Sequence, residues 1–192
     1  MKASRTDVVI LVFIAAISGM FLAGTFTSTE QPIKDAQERL RQQALRSVMP
    51  FMEDAYERKV YTRGDLTAPI YVVNKDSVYQ GAALELTTKE GYSGEITFLV
   101  GVDPEKKVTG LFILKHAETP GLGAKATDKK WWGQFLDKAK PDFIFKVKKD
   151  GGDVDSITAS TITSRAISNA IDAGLDLYED FLNHPSEQLE GR

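Results

Sequence analysis

The sequence predicts an α+β domain behind a single N-terminal apolar helix. Three observations carry that expectation: a charge-free run at the start, a middle section of β-rich runs separated by short turns, and an amphipathic helix pattern at the end. Neighbouring strands joined by short turns make an antiparallel sheet, and helix patterns at both ends of the domain flank it. The chain has 192 residues, of which 42% are hydrophobic and 27% charged. That is room for one membrane segment and one domain with a full core. The expected organisation is residues 1–27 as a cytoplasmic N-terminus and transmembrane helix, 28–50 as a membrane-proximal helix, 51–185 as the domain and 186–192 as a frayed tail.

Residues 8–26 form a stretch of 19 without a charge. As a helix this is about 28 Å long, close to the roughly 30 Å of a bilayer core. A cleaved signal peptide is the rival reading, since Lys2 and Arg5 precede the run, but the run is long for an h-region and Ala23-Gly24-Thr25 is a poor cleavage site. An uncleaved anchor in the lipid bilayer is therefore expected. Lys2 and Arg5 argue for a cytoplasmic N-terminus, while Lys34, Arg39, Arg41 and Arg46 beyond the far edge point the other way. A large domain translocates largely regardless of such a count.

In residues 31–49, Ile33, Gln37, Leu40, Ala44 and Val48 fall on one side of a helix, with Pro32 suited to its first turn and Pro50 to its end. Packing on the domain is the expected use of that side, and lying on lipid through Arg39, Arg41 and Arg46 is the alternative. Strand patterns follow at 70–73, 78–87, 96–102, 108–116 and 143–148. Asp103-Pro104-Glu105-Lys106 reads as a hairpin turn, and Gly91-Tyr92-Ser93-Gly94 as a flexible loop before that hairpin. The final helix is expected over 164–182, with Ile167, Ile171, Leu175, Tyr178 and Leu182 as its buried stripe.

Several chemistries are excluded. There is no cysteine, so this chain holds no disulfide, iron–sulfur cluster or thiolate zinc site. A net charge of −3 with interspersed signs leaves no basic stripe for nucleic acid. His116 and His184 are the two histidines, far apart and without a nucleophile partner, so no catalytic triad is expected. No metal site is expected either, since residues 150–155 lack the spacing of a calcium loop.

Two stretches suggest chemistry. In residues 155–164, Ser156, Thr158, Ser160, Thr161 and Thr163 crowd upstream of the final helix, with Ser164 next. Such hydroxyls cap a helix or build a strand by default; the helix N-terminus beside them is also a ready anion site. In residues 116–126, Thr119-Pro120-Gly121-Leu122 fits a type II turn, and Gly123 allows close backbone approach. Gly121, Gly123 and Ala126 also satisfy the loose dinucleotide pattern G-x-G-x-x-A, a weak match without a surrounding parallel βαβ unit. Of Trp131 and Trp132, one is expected in the core. Lys125, Lys129 and Lys130 form a solvated basic face by default, with screening of phosphate charge as the alternative use.

The order of residues in the first stretch resembles D-x-I-T-G-A-T-x-T-S, a signature of the FMN-binding domain found in the G subunit of Rnf electron-transport complexes and the C subunit of Na⁺-translocating NADH:quinone reductase. Thr161, Ile162, Thr163 and Ser164 match its last four positions. Where that family carries Gly-Ala, this chain has Ala159-Ser160, which adds Ser160 as a competing hydroxyl. The run His116-Ala117-Glu118-Thr119-Pro120-Gly121-Leu122-Gly123 resembles the second signature, H-x-E-T-P-G-L-G.

The resemblance implies a phosphoester of FMN at Thr163, with Glu118, Thr119, Gly121, Leu122, Gly123, Lys125, Thr158, Ser160, Thr161 and Ser164 around the cofactor. It implies a relay of electrons in a ferredoxin:NAD⁺ oxidoreductase complex coupled to ion movement. It also implies the other proteins of that complex and a flavin transferase as partners, and a domain on the extracytoplasmic side of the cytoplasmic membrane. A flavin-binding or sensor module outside a pump, a quinone-reductase component and a non-flavin accessory subunit are the alternatives.

Overall fold

The computed structural model describes residues 5–52, 55–184 and 189–190. The chain divides into two units, Met1–Arg41 and Gln42–Arg192, and everything described below from β1 onward belongs to the second.

Helix α1 runs from Arg5 to Val48 without a break. The separate helices expected at 8–26 and 31–49 are thus one, with Pro32 inside it rather than in a first turn. In the polar interval between them the hydroxyls bond back to carbonyls four residues earlier, Thr25 to Phe21, Thr27 to Ala23, Ser28 to Gly24 and Thr29 to Thr25, at 2.8–3.0 Å, which satisfies them within the helix. Pro32 removes one backbone hydrogen bond from α1 without ending it. The most apolar 18-residue window of α1 has a mean hydropathy of 2.5. Lys2 lies outside the described residues.

Five strands make an antiparallel meander: β1 (Glu57–Arg63), β2 (Leu66–Lys75), β3 (Val78–Gly91), β4 (Gly94–Val102) and β5 (Val108–Lys115). The two-residue β6 (Leu189–Glu190) pairs with β1, giving the order β5-β4-β3-β2-β1-β6. Part of the expected tail is therefore strand; residues 185–188 and 191–192 lie outside the described residues. β1 has no expectation in the sequence because Glu57, Arg58, Lys59 and Arg63 obscure its pattern, and only Val60 and Tyr61 supply apolar side chains. Residues 91–94 are not a loose loop: Gly91 pairs with Gly94, so Tyr92-Ser93 is the tight turn of the β3–β4 hairpin.

Side chains alternate between the faces of a pleated sheet, and here both faces are buried. Leu84, Leu86, Ile96, Phe98 and Val100 pack on one face with Ile167, Ile171, Leu175 and Tyr178 of α3 (Thr161–Asn183). Tyr71, Val73, Ala83 and Leu99 on the other pack with Ala44, Leu45, Val48 and Met49 from the end of α1. The expected stripe of the final helix is buried apart from the half-exposed Leu182. Of the stripe expected at 31–49, Ala44 and Val48 are buried, whereas Ile33 and Leu40 are exposed.

Between β5 and α3 the chain makes short helical turns at Gly123–Thr127 and Gly133–Phe135, with α2 (Lys129–Trp132) between them. No strand forms at 143–148. Phe145 and Val147 are buried as the alternation suggests, but the backbone around Val147 pairs with the returning segment: the Lys148 N–H donates to the Val154 carbonyl, and the Val154 N–H to the Lys146 carbonyl, both at 2.9 Å. The segment closes on itself as a compact loop instead of joining the sheet.

Candidate functional site

The hydroxyl-rich stretch is fixed at both ends before it forms a site. At its start, Trp131 Nε1 donates to the Asp155 carbonyl at 2.7 Å, Gln134 Nε2 donates to the same carbonyl, and the Asp155 N–H donates to Gln134 Oε1 at 2.7 Å. Trp131, the core tryptophan of the pair, thereby holds the loop against α2. At its end, α3 begins at Thr161 with Ser160 as N-cap, three residues earlier than the amphipathic pattern alone predicts. Thr163 is accordingly inside the first turn. Arg165 pairs with Asp150 and holds that carboxyl below the usual carboxylate range through their hydrogen bond.

Within the loop, Ser164 Oγ accepts the Ile157 N–H at 2.9 Å and donates to the Ser160 carbonyl at 3.0 Å. Its hydroxyl is consumed in shaping the turn. The Ser160 side chain makes no capping bond. Ala159 adopts φ +61, the left-handed conformation that glycine takes freely and that costs other L-residues about 1–2 kcal/mol. Glycine's own entropic cost of roughly 0.5–1 kcal/mol offsets part of any gain. The Ala159→Gly variant is therefore expected to be more stable by about 0.5–1 kcal/mol, a rise in Tm of about 2 °C. A lowered Tm on thermal melting contradicts this account of the turn.

Thr163 is 1% exposed and Glu118 is 6% exposed; Thr163 Oγ1 donates to Glu118 Oε2 at 2.8 Å across 45 residues of sequence. The other carboxylate oxygen accepts the Ser93 N–H at 3.1 Å, which ties the β3–β4 turn to the pair. The Glu118 N–H donates to His116 Nδ1 at 3.2 Å, so His116 is a hydrogen-bonded strand-end residue. The type II turn is present: Leu122 N–H donates to the Thr119 carbonyl at 3.2 Å and Gly121 has φ +77. Gly123 lies against the pair itself, since a Cβ there would sit 2.3 Å from Glu118 Oε2 and 2.7 Å from Thr163 Oγ1.

Both stretches open onto one cleft of about 560 Å³, lined by Glu118, Thr119, Leu122 and Gly123 from the first and by Ala159, Ser160, Thr161, Ile162 and Thr163 from the second, with Tyr92 completing it. This volume is within the range of cofactor sites. Tyr92, Leu122 and Ile162 are exposed there, a set of apolar side chains suited to a flat ring. Gly121, Lys125 and Thr158 lie outside the lining, as does the buried Ser164. Sequence reasoning did not select Tyr92, Ala159 or Ile162. Tyr92 had a signal, an aromatic side chain between two glycines, that a hairpin assignment at 91–94 would have made meaningful. Among the described residues no cluster of His, Asp and Glu suited to a metal occurs.

Residues 91–176 match the FMN-binding domain family. Over 96% of this chain and 93% of the relative, the sequence is 31% identical to the G subunit of the ion-translocating oxidoreductase complex of Aliivibrio fischeri strain MJ11. It is 30% identical to the protein of that name in Methanosarcina acetivorans, covering 88% of this chain and 91% of the relative. A stretch covering 53% of this chain and 52% of the relative is 42% identical to that of Escherichia coli K12. Among solved structures, the crystal structure of Shewanella oneidensis NqrC shares the fold, with a TM-score of 0.51 and 23% identity over 66% of this chain and 68% of that one.

Proposed function

The chain belongs to the family of G subunits of ion-translocating oxidoreductase complexes, and from that premise we propose that it is an electron-transfer subunit whose FMN is esterified through its phosphate to Thr163. The observation that carries this reading is convergence: two stretches 45 residues apart line one cleft, and Thr163 belongs to both the helix start and that lining. The residues fit the group. The first turn of α3 supplies unpaired N–H groups and the positive end of a helix dipole for phosphate. Tyr92, Leu122 and Ile162 offer apolar surface for the ring. Gly123, where a Cβ would fill the space beside Thr163, keeps the floor open. FMN when bound supplies the redox chemistry, and the protein supplies position and electrostatics.

The apolar part of α1 anchors the protein in the lipid bilayer as a single pass, with the FMN domain on the extracytoplasmic side. There a phosphoester prevents loss of a flavin that has no free pool to rebind from. The partners are the other proteins of a membrane complex that moves electrons between ferredoxin and NAD⁺, and a flavin transferase that uses FAD as donor. The absorbance spectrum of the purified, denatured chain from its native host tests the central claim: covalent flavin stays with the protein, and a colourless chain rejects it. Protease protection of the domain in inverted vesicles is the expected result for the orientation, and digestion there rejects it.

A further inference from the structure

We infer that Glu118 is the general base that takes the proton from Thr163 when the flavin is attached, an inference that rests on the reading of Thr163 as acceptor. A threonine hydroxyl is a weak nucleophile and needs a base within hydrogen-bond reach. Thr163 Oγ1 and Glu118 Oε2 are 2.8 Å apart, and the carboxylate is held in that orientation. Its Oε1 is occupied by the Ser93 N–H, and Gly91 and Gly123 close in so tightly that a Cβ on either would come within 2.8 Å of Oε1 or 2.3 Å of Oε2. The neighbouring hydroxyl of Ser164 donates to a backbone carbonyl instead. Thr163 is thus singled out within the hydroxyl-rich stretch by what accepts its proton, in addition to where it stands.

The step balances without any redox change. Thr163 Oγ bonds to the phosphorus that carries the riboflavin half of FAD, and the P–O bond joining the two phosphates breaks. AMP leaves with that electron pair, and the hydroxyl proton passes to Glu118 Oε2 and then to solvent. A purely structural Glu118 would only pin the β3–β4 turn to α3, and the two roles separate experimentally.

The full-length chain, produced without a flavin transferase, is incubated with purified transferase and FAD, and flavin incorporation is followed by fluorescence of the denatured chain. Glu118→Gln, which preserves shape, is expected to lower kcat for attachment by about 10²–10⁴-fold with little change in KM for the chain. Glu118→Ala is expected to be slow and to recover when formate is added, a response that a structural role does not give and that serves where Glu118→Gln fails to fold. Wild-type rates in a folded Glu118→Gln, or a slow Glu118→Ala that ignores formate, overturn the assignment of the base alone. A wild-type chain that takes up no flavin overturns the acceptor reading as well.

Discussion

Thr163→Val is expected to abolish the proposed covalent attachment of flavin while leaving the domain folded. Valine keeps the β-branched shape of threonine at a site that is 1% exposed, so the helix start retains its packing; what disappears is the oxygen proposed to form the ester. The loss is not free of stability cost, because Glu118 Oε2 loses the donor it has at 2.8 Å, while Oε1 keeps its contact with Ser93. A buried acceptor deprived of its donor costs about 1–3 kcal/mol. The expected product is therefore a folded, somewhat less stable and colourless chain, with an unmodified mass for the peptide spanning residues 154–165. Thr163→Ser, which restores the oxygen, is expected to regain flavin. Ser160 and Thr161 line the same cleft, so the valine variant also tests them. A flavin mass transferred to either shows that proximity to the cleft is sufficient, and that the contact with Glu118 does not choose the acceptor.

How much of this was legible in the sequence depended on whether a pattern was local. The stripe of Ile167, Ile171, Leu175 and Tyr178 follows from helical periodicity, because burial on one side imposes that period directly, and the strands at 78–87 and 96–102 follow from apolar, β-prone runs bounded by turn residues. The failures have the complementary cause. Phe145 and Val147 alternate with exposed neighbours as strand residues do, yet Val147 bridges Val154 on the return of the same loop, which no local period encodes. β1 carries no strand pattern legible in its charged sequence, yet it is a strand because β2 supplies its ladder, and Tyr61 reaches Asp180 at 2.9 Å. Pro32 reads as a helix start, yet it lies inside α1, because a mid-helix proline removes one backbone bond without obliging a long helix to end there.

The site shows the same division. Motif order located both stretches that meet at the cleft, and the departure at Ala159-Ser160 is accommodated without losing the left-handed turn. What the sequence could not supply was the contact itself. Nothing in the spacing of Glu118 and Thr163 says that one hydroxyl of six would meet a buried carboxylate, or that a turn residue from the β3–β4 hairpin would complete its coordination. Those are products of the sheet register, in which Gly91 opposite Gly94 brings the Ser93 N–H to the end of β5.

The second large effect is expected at Gly101, far from the cleft. Gly101 of β4 stands opposite Gly110 of β5 in register, and together they form a slot for the last turn of α1. A Cβ on Gly101 would lie 1.9 Å from the Val48 carbonyl oxygen and 2.5 Å from Thr109 Oγ1; one on Gly110 would lie 2.9 Å from the Val48 Cα. That carbonyl is one of the last four of α1 and so lacks an intrahelical donor; the Thr109 hydroxyl donates to it at 2.5 Å. Alanine at 101 must therefore displace backbone, since the atom it meets is not the tip of a flexible side chain, and the displacement also breaks the bond that satisfies the helix end. Overpacking of about 1–3 kcal/mol adds to the cost of an unsatisfied buried carbonyl of about 1–3 kcal/mol. A loss near 3 kcal/mol lowers Tm by about 6–12 °C for a domain of this size. Because the slot is on the sheet face opposite α3, the fraction of Gly101→Ala that remains folded is expected to accept flavin at Thr163 at the wild-type rate. A variant that melts like the wild type shows that α1 does not end in this slot, and one that melts early but also loses flavin shows that the two faces of the sheet are not independent.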